Sequence, residues 1–222
     1  DGVSLHGWFF PNHAGPPAAT VIFFHGNGGN ITNVGWVGER LALRGMDVLV
    51  FDYRGYGLSD GEAEDEEALY ADADAAYEFL MTQQVQPESV VLYGQSLGTV
   101  AAVDLASRRR SGALILESGV SSASDMASSV LPWLPRQLHF LGRNRFESAR
   151  KLRQVKCPVL ITHGDPDTTI PTDHARALFA AANERRKLMI FPGAGHNVFG
   201  SIGDPYLDIV SQFVKEAMKQ KG

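Results

Sequence analysis

Residues 94–98 read Gly94-Gln-Ser-Leu-Gly98 and follow a short apolar run, Ser89-Val-Val-Leu-Tyr93. A G-x-S-x-G pattern between a predicted strand and a predicted helix puts its serine on a sharp turn, with the hydroxyl projecting above the sheet. The flanking glycines suit a turn where a larger side chain would crowd the backbone. Ser96 is therefore a candidate nucleophile. A serine hydroxyl is weak at neutral pH. It needs a general base within hydrogen-bond reach, and that base needs an orienting carboxylate.

The C-terminal third supplies both residue types. His163-Gly-Asp-Pro-Asp-Thr-Thr-Ile-Pro171 follows one predicted strand, and Gly193-Ala-Gly-His-Asn197 follows the last. Reactive groups in open α/β sheets gather beyond the carboxyl ends of the strands. His196 is the candidate base, which predicts activity lost on the acid side. Chemistry alone leaves the acid open. Asp165 and Asp167 share one loop, and Glu117 ends an earlier strand. Asp165 also suits a turn, accepting from backbone N–H groups.

Phe24-His25-Gly26-Asn27-Gly28-Gly29 follows the second predicted strand. A glycine-rich turn there leaves N–H groups free to face a developing oxyanion, and Asn27 and Leu97 are the candidate donors. A phosphate-binding loop is the competing reading. The sequence contains neither G-x-x-x-x-G-K-[ST] nor G-x-G-x-x-G, which removes it. His25 is expected to brace the loop.

These residues need a scaffold of alternating strands and helices. Near-continuous apolar runs at Ser4–Phe10, Thr20–Phe24, Asp47–Tyr53, Ser89–Gly94, Gly112–Glu117, Pro158–His163 and Lys187–Phe191 read as strands buried on both faces. Val34, Val37 and Leu41 share one helix face, which Gly45 is placed to end. Ala73, Ala76, Tyr77 and Leu80 share another, preceded by the acidic run from Glu64 to Glu67, which favours a helix N-terminus. Val100–Ser107, Thr172–Ala182 and Tyr206–Met218 complete the set. The alternation predicts an α/β fold, a mostly parallel central sheet with helices on both faces.

Residues 119–150 break this rhythm and are expected to form a short cap insertion over the site. Trp133 and Leu134 in it are candidates to receive an acyl chain, against the reading that they pack as ordinary core. The segment and the residues just after it are rich in base: Arg136, Arg143, Arg145, Arg150, Lys151 and Arg153 against Asp125 and Glu147. A solvated basic face is the favoured explanation over one that binds an anionic substrate or a membrane surface.

Length and composition bound the rest. The 222 residues suit one domain over 1–222, and 44% apolar with 20% charged residues is an ordinary globular composition. A net charge of −5 gives no reason to expect nucleic-acid binding. The single cysteine, Cys157, makes neither an internal disulfide nor a zinc cluster. The seven histidines are scattered, with no H-E-x-x-H, so no metal is expected, and the chemistry needs no cofactor. No apolar run reaches the length of a membrane span. The chain opens at Asp1, and membrane association is an alternative that an upstream anchoring segment would supply; a cytoplasmic location is the default. The sequence carries no signal for oligomeric state.

Phe24-His-Gly-Asn-Gly-Gly-Asn30, Asp52-Tyr-Arg-Gly-Tyr-Gly-Leu-Ser59, Tyr93-Gly-Gln-Ser-Leu-Gly98, Leu116-Glu-Ser118 and His163-Gly-x-x-Asp167-x-x-Ile-Pro171 together resemble α/β-hydrolase-fold serine hydrolases. The closest branch is the small serine-aminopeptidase-like hydrolases, which include membrane-associated protein depalmitoylases. The likeness runs from Leu5 to the C-terminus. It implies Ser96 as nucleophile, His196 as base, Asp167 as acid and Asn27 as first oxyanion donor. It also implies that Asp52 to Gly57 shapes the site rather than reacts. The expected activity is hydrolysis of a small-molecule carboxylic ester or thioester through an acyl-enzyme. The alternatives are an amidase or peptidase with the same triad, and a non-catalytic binding protein on the same fold.

Overall fold

The computed structural model describes residues 2–130 and 144–219. One sheet contains seven strands: β1 Gly7–Phe10, β2 Thr20–Phe24, β3 Asp47–Phe51, β4 Val90–Gln95, β5 Ala113–Glu117, β6 Val159–Gly164 and β7 Arg186–Phe191. Their order is β1-β3-β2-β4-β5-β6-β7. β1 runs antiparallel to β3, and every other pairing is parallel. The predicted α/β architecture is the observed one. The first strand starts later than its apolar run suggests. Residues 4 and 6 bond instead to the loop after β3: Ser4 O accepts from Asp60 N–H and His6 O from Asp52 N–H, each at 2.9 Å.

The helices are α1 Ile31–Ala42, α2 Glu66–Thr82, α3 Gly98–Arg108, α4 Ala123–Val130, α5 Ser148–Leu152, α6 Asp173–Ala181, α7 Val198–Ile202 and α8 Asp204–Lys219. Asn30 caps α1 by accepting from Thr32 N–H, while the Asn33 side chain accepts in return from Asn30 N–H. Asp65 caps α2 at Ala68 N–H, ahead of Glu66 and Glu67 in its first turn. Gly45, at φ 89°, turns the chain just beyond α1, a conformation that favours glycine.

Strand alternation explains the continuous apolar runs. Ile22, Phe24, Leu92, Leu114, Leu116 and Ile161 face the layer of α2, α3, α5 and α6. Val21, Phe23, Val91, Tyr93, Ile115 and Leu160 face α1, α7 and α8. Both faces of the central strands are buried, so most of their residues are apolar. Each fully buried large apolar side chain contributes roughly 1.5–3 kcal/mol. β2 lies between β3 and β4, where successive connections leave in opposite directions. The crevice of such a sheet opens at that reversal, outside the carboxyl ends of the strands.

Candidate active site

The turn between β4 and α3 consists of Ser96 and Leu97. Ser96 sits at φ 54°, in the left-handed region, which costs a non-glycine residue about 1–3 kcal/mol. Its backbone is pinned there. Ser96 N–H donates to Glu117 O at 2.9 Å, and its carbonyl accepts from Thr99 N–H at 3.0 Å and from Thr99 Oγ1 at 2.6 Å. Close packing dictates the two glycines of the motif. A Cβ on Gly94 would stand 2.6 Å from both the Gly98 carbonyl oxygen and Thr99 Cα. One on Gly98 would run into the Phe24 carbonyl at the end of β2. The strand, turn and helix can approach only because neither side chain exists.

The serine, histidine and one aspartate form a hydrogen-bonded line. Ser96 Oγ lies 2.9 Å from His196 Nε2, and His196 Nδ1 lies 2.8 Å from Asp167 Oδ2. A carboxylate at Nδ1 selects the tautomer with its proton there, leaving Nε2 to accept from the serine hydroxyl. The Asp167 side chain is buried, while that of His196 is 29% exposed, open to an incoming molecule. Asp167 is held by more than His196. His163 Nε2 stands 3.1 Å from Oδ2, and Oδ1 accepts from Thr169 N–H at 2.8 Å and Ile170 N–H at 3.0 Å. Burial pushes the Asp167 carboxyl up. Hydrogen bonds from His163, His196 and Ile170 outweigh it and hold the pKa well below the usual carboxylate range.

The other two carboxylates have different work. Asp165 Oδ1 accepts from Gly193 N–H at 2.8 Å, joining the loop after β6 to the start of the His196 loop. Glu117 is buried at the end of β5 and hydrogen-bonds Tyr93, Gln95 and Phe199 rather than His196.

Asn27 and Leu97 flank Ser96. The Gly26 backbone presses on the serine, so that a Cβ there would lie 3.3 Å from Ser96 Cβ. Leu97 occupies the N-cap of α3, at the positive end of the helix dipole. No described group accepts from the backbone N–H of either Asn27 or Leu97. His25 braces this loop: its Nδ1 hydrogen-bonds Gly26 O at 2.7 Å, and its carbonyl accepts from Tyr53 OH at 3.1 Å. Burial lowers the His25 pKa, against the pull of its bond to Gly26 and of the nearby Asp52 carboxylate, so the ring is neutral at pH 7. Asp52, also buried, anchors α1 by accepting from Ile31 N–H at 2.8 Å.

Three contributors were given no individual role in the sequence. Tyr56 OH donates to Asn27 Oδ1. His163 supports Asp167 from β6. Ser118 Oγ donates to the His196 carbonyl at 2.6 Å. Each lies near a strand's carboxyl end and within a motif that carries the family resemblance, and those were the signals for them.

The two ends of the insertion meet, with Ala149 N–H donating to Ser121 O and Ala123 N–H to Arg145 O, both at 2.9 Å. Trp133, Leu134, Arg136 and Arg143 lie outside the described residues. Of its described cations, Lys151 pairs with Asp104 at 2.7 Å and packs over the Tyr70 ring, while Arg150 pairs with Glu147. Among the described residues, no helix is long and apolar enough to cross a membrane.

Sheet order and site together define an α/β hydrolase. A family model described as serine aminopeptidase S33 matches residues 15–149, and the chain belongs to that family. It is 36% identical over 218 residues to the uncharacterized protein Rv2307c of Mycobacterium tuberculosis, covering 97% of this chain and 76% of the relative. It is also 36% identical over 201 residues to the alpha/beta hydrolase domain-containing protein 17B of Xenopus laevis, covering 90% and 67% of the two chains. Among solved structures, the Pyrococcus furiosus esterase Pf2001 superposes with a TM-score of 0.80 at 22% identity, over 97% of this chain and 87% of that one. The Paleococcus ferrophilus monoacylglycerol lipase does so with a TM-score of 0.74 at 20% identity, over 96% and 99%. At such identities the likeness is one of fold.

Proposed function

We propose that this hydrolase cleaves carboxylic esters or thioesters through an acyl-enzyme on Ser96. The observation that carries the reading is the line from Ser96 Oγ through His196 to Asp167, at 2.9 and 2.8 Å, beside two unengaged backbone N–H groups. In acylation, Ser96 Oγ bonds to the substrate carbonyl carbon while its proton passes to His196 Nε2. The carbonyl oxygen becomes an oxyanion facing the N–H groups of Asn27 and Leu97. Asp167 stabilises the imidazolium without taking its proton. Collapse breaks the bond to the alcohol or thiol, which leaves with the proton from Nε2. Water then attacks the acyl carbon, giving its proton to the same nitrogen, and Ser96 Oγ recovers a proton as the acid departs. The names of the neighbouring esterase and lipase favour esters over amides.

The test compares wild type with Ser96→Ala on p-nitrophenyl acyl esters and on a fluorophosphonate probe. Wild type is expected to turn over the ester and to be labelled, and the variant to do neither while keeping its melting temperature. Wild-type turnover by Ser96→Ala overturns the nucleophile. A wild type that is inert to esters and cleaves amides moves the substrate class, and one inert to the probe as well makes the chain a binding protein.

A further inference from the structure

The end of β5 binds both halves of the site. Glu117 O accepts from Ser96 N–H at 2.9 Å, and the next residue, Ser118, donates Oγ–H to His196 O at 2.6 Å. Ser118 is buried and held at φ 49°, a strained geometry for a serine, and its N–H donates to Thr162 O of β6 at 2.9 Å. Two consecutive residues thus fix the backbones that carry the nucleophile and the base.

The Glu117 side chain makes the same connection underneath. Oε1 accepts from Phe199 N–H at 3.0 Å, three residues beyond His196, and from Gln95 Nε2 at 3.2 Å, the residue before Ser96. Gln95 Nε2 also donates to Asn197 Oδ1 at 3.3 Å, the residue after His196. Oε2 accepts from Tyr93 OH at 2.6 Å and lies 3.4 Å from Tyr206 OH, which meets Thr162 Oγ1 at 2.9 Å. The carboxyl thus ties together four residues from three elements, Gln95 beside the nucleophile turn among them. Burying a charge is expensive, and a fold that needed only packing here would do as well with an apolar side chain.

We propose that Glu117 and Ser118 are positioning residues for His196, Ser118 by holding its backbone against the nucleophile turn and Glu117 by pinning Phe199 and Gln95, which follow the base and precede the nucleophile. This rests on His196 being the base. A general base works only from within hydrogen-bond reach of the proton it takes, so a clamp on both loops keeps that distance. The titratable groups around Glu117 are Tyr93 from β4, Tyr206 from α8 and His196 itself. Those around the imidazole are Asp167 and His163 from β6 and its loop. Burial pushes the Glu117 pKa up, and the opposing pull of Phe199, Tyr93, Gln95 and His196 leaves it raised.

Glu117→Gln keeps the shape and removes the charge. In the folded variant, the imidazole N–H proton that His196 shares with Asp167, followed by NMR, is expected to move from its wild-type resonance. On an ester substrate, kcat is expected to fall by about tenfold with KM little changed. A resonance and a kcat both as in wild type overturn the role of Glu117. Ser118→Ala, which removes one hydroxyl and no charge, is expected to lower kcat several-fold, again with KM little changed. Unchanged kcat there overturns the positioning role, and this variant decides the clamp if Glu117→Gln fails to fold. The NMR spectrum is read without substrate. A wild type inert to every ester would therefore sink the proposed function and leave the Glu117 result standing.

Discussion

Tyr56 gives its phenolic hydrogen to the side-chain oxygen of Asn27, tying the loop after β3 to the loop after β2. The same tyrosine ring meets His25 edge-on, at a centroid distance of 5.4 Å. Three loop residues therefore fix one backbone N–H beside Ser96. Loss of a whole oxyanion donor costs about 10²–10³ in kcat. Tyr56→Phe keeps the donor and removes only its brace. It is expected to lower kcat by roughly tenfold with KM nearly unchanged. Steady-state kinetics on a p-nitrophenyl ester checks this, and a kcat equal to wild type means that Asn27 needs no support.

Asp167 and Asp165 are two residues apart and do separate work. Asp167→Asn should lower kcat by about 10⁴, because an amide at Nδ1 favours the wrong imidazole tautomer. Asp165→Asn loosens one bond to Gly193 and should stay within roughly tenfold of wild type. If the larger loss followed Asp165→Asn, the acid would be misassigned.

Gly98 has no room for a side chain, because the obstructing atoms are backbone of β2 rather than a mobile side chain. Gly98→Ala should therefore push β2 away from α3 and lower the melting temperature by roughly 10 °C or more. Gly28 has nothing within 4 Å of its Cβ position, so Gly28→Ala is the matched control. Equal melting temperatures for the two variants would contradict the packing.

Burial holds the imidazoles of His25 and His174 below the ordinary pKa of histidine, despite nearby Asp52 and Asp125 respectively. The unfolded chain therefore takes up protons on these rings first, near about pH 6.5. Stability falls as the pH drops below that value, until the folded rings protonate as well. Asp167 acts in a lower window. Its depressed pKa contributes stability that is complete above the carboxylate range and lost only below about pH 4. Melting curves should decline between about pH 7 and 5.5, and His174→Gln should make that decline shallower. A slope equal to wild type would show that His174 charges as readily folded as unfolded.

The strands were legible because burial on both faces leaves unbroken apolar runs, and the elbow because Gly94 and Gly98 are dictated by contact. The β1 boundary was less so: residues 4–6 bond to a loop instead of a neighbouring strand, a choice made by tertiary contacts. The acid could not be read from chemistry, since Asp165 and Asp167 are equally able to accept a proton donor. Only the orientation of the loop after β6 distinguishes them, and the resemblance to the family had already pointed to Asp167. Glu117 was visible as a carboxylate in the right place. Its place below the histidine loop, bonded to Phe199 N–H, depends on how α7 folds back over β5, which no local pattern encodes.

Phe199, whose N–H rests on Glu117, stacks its ring on Trp36 of α1 at 3.9 Å between centroids. The indole is 40% exposed, yet its other face is welded to the segment that carries the base. Trp36 is thus an optical gauge inside the protein. With Trp8→Phe and Trp133→Phe, the one remaining indole senses, without any added label, how the Phe199 ring beyond His196 is seated.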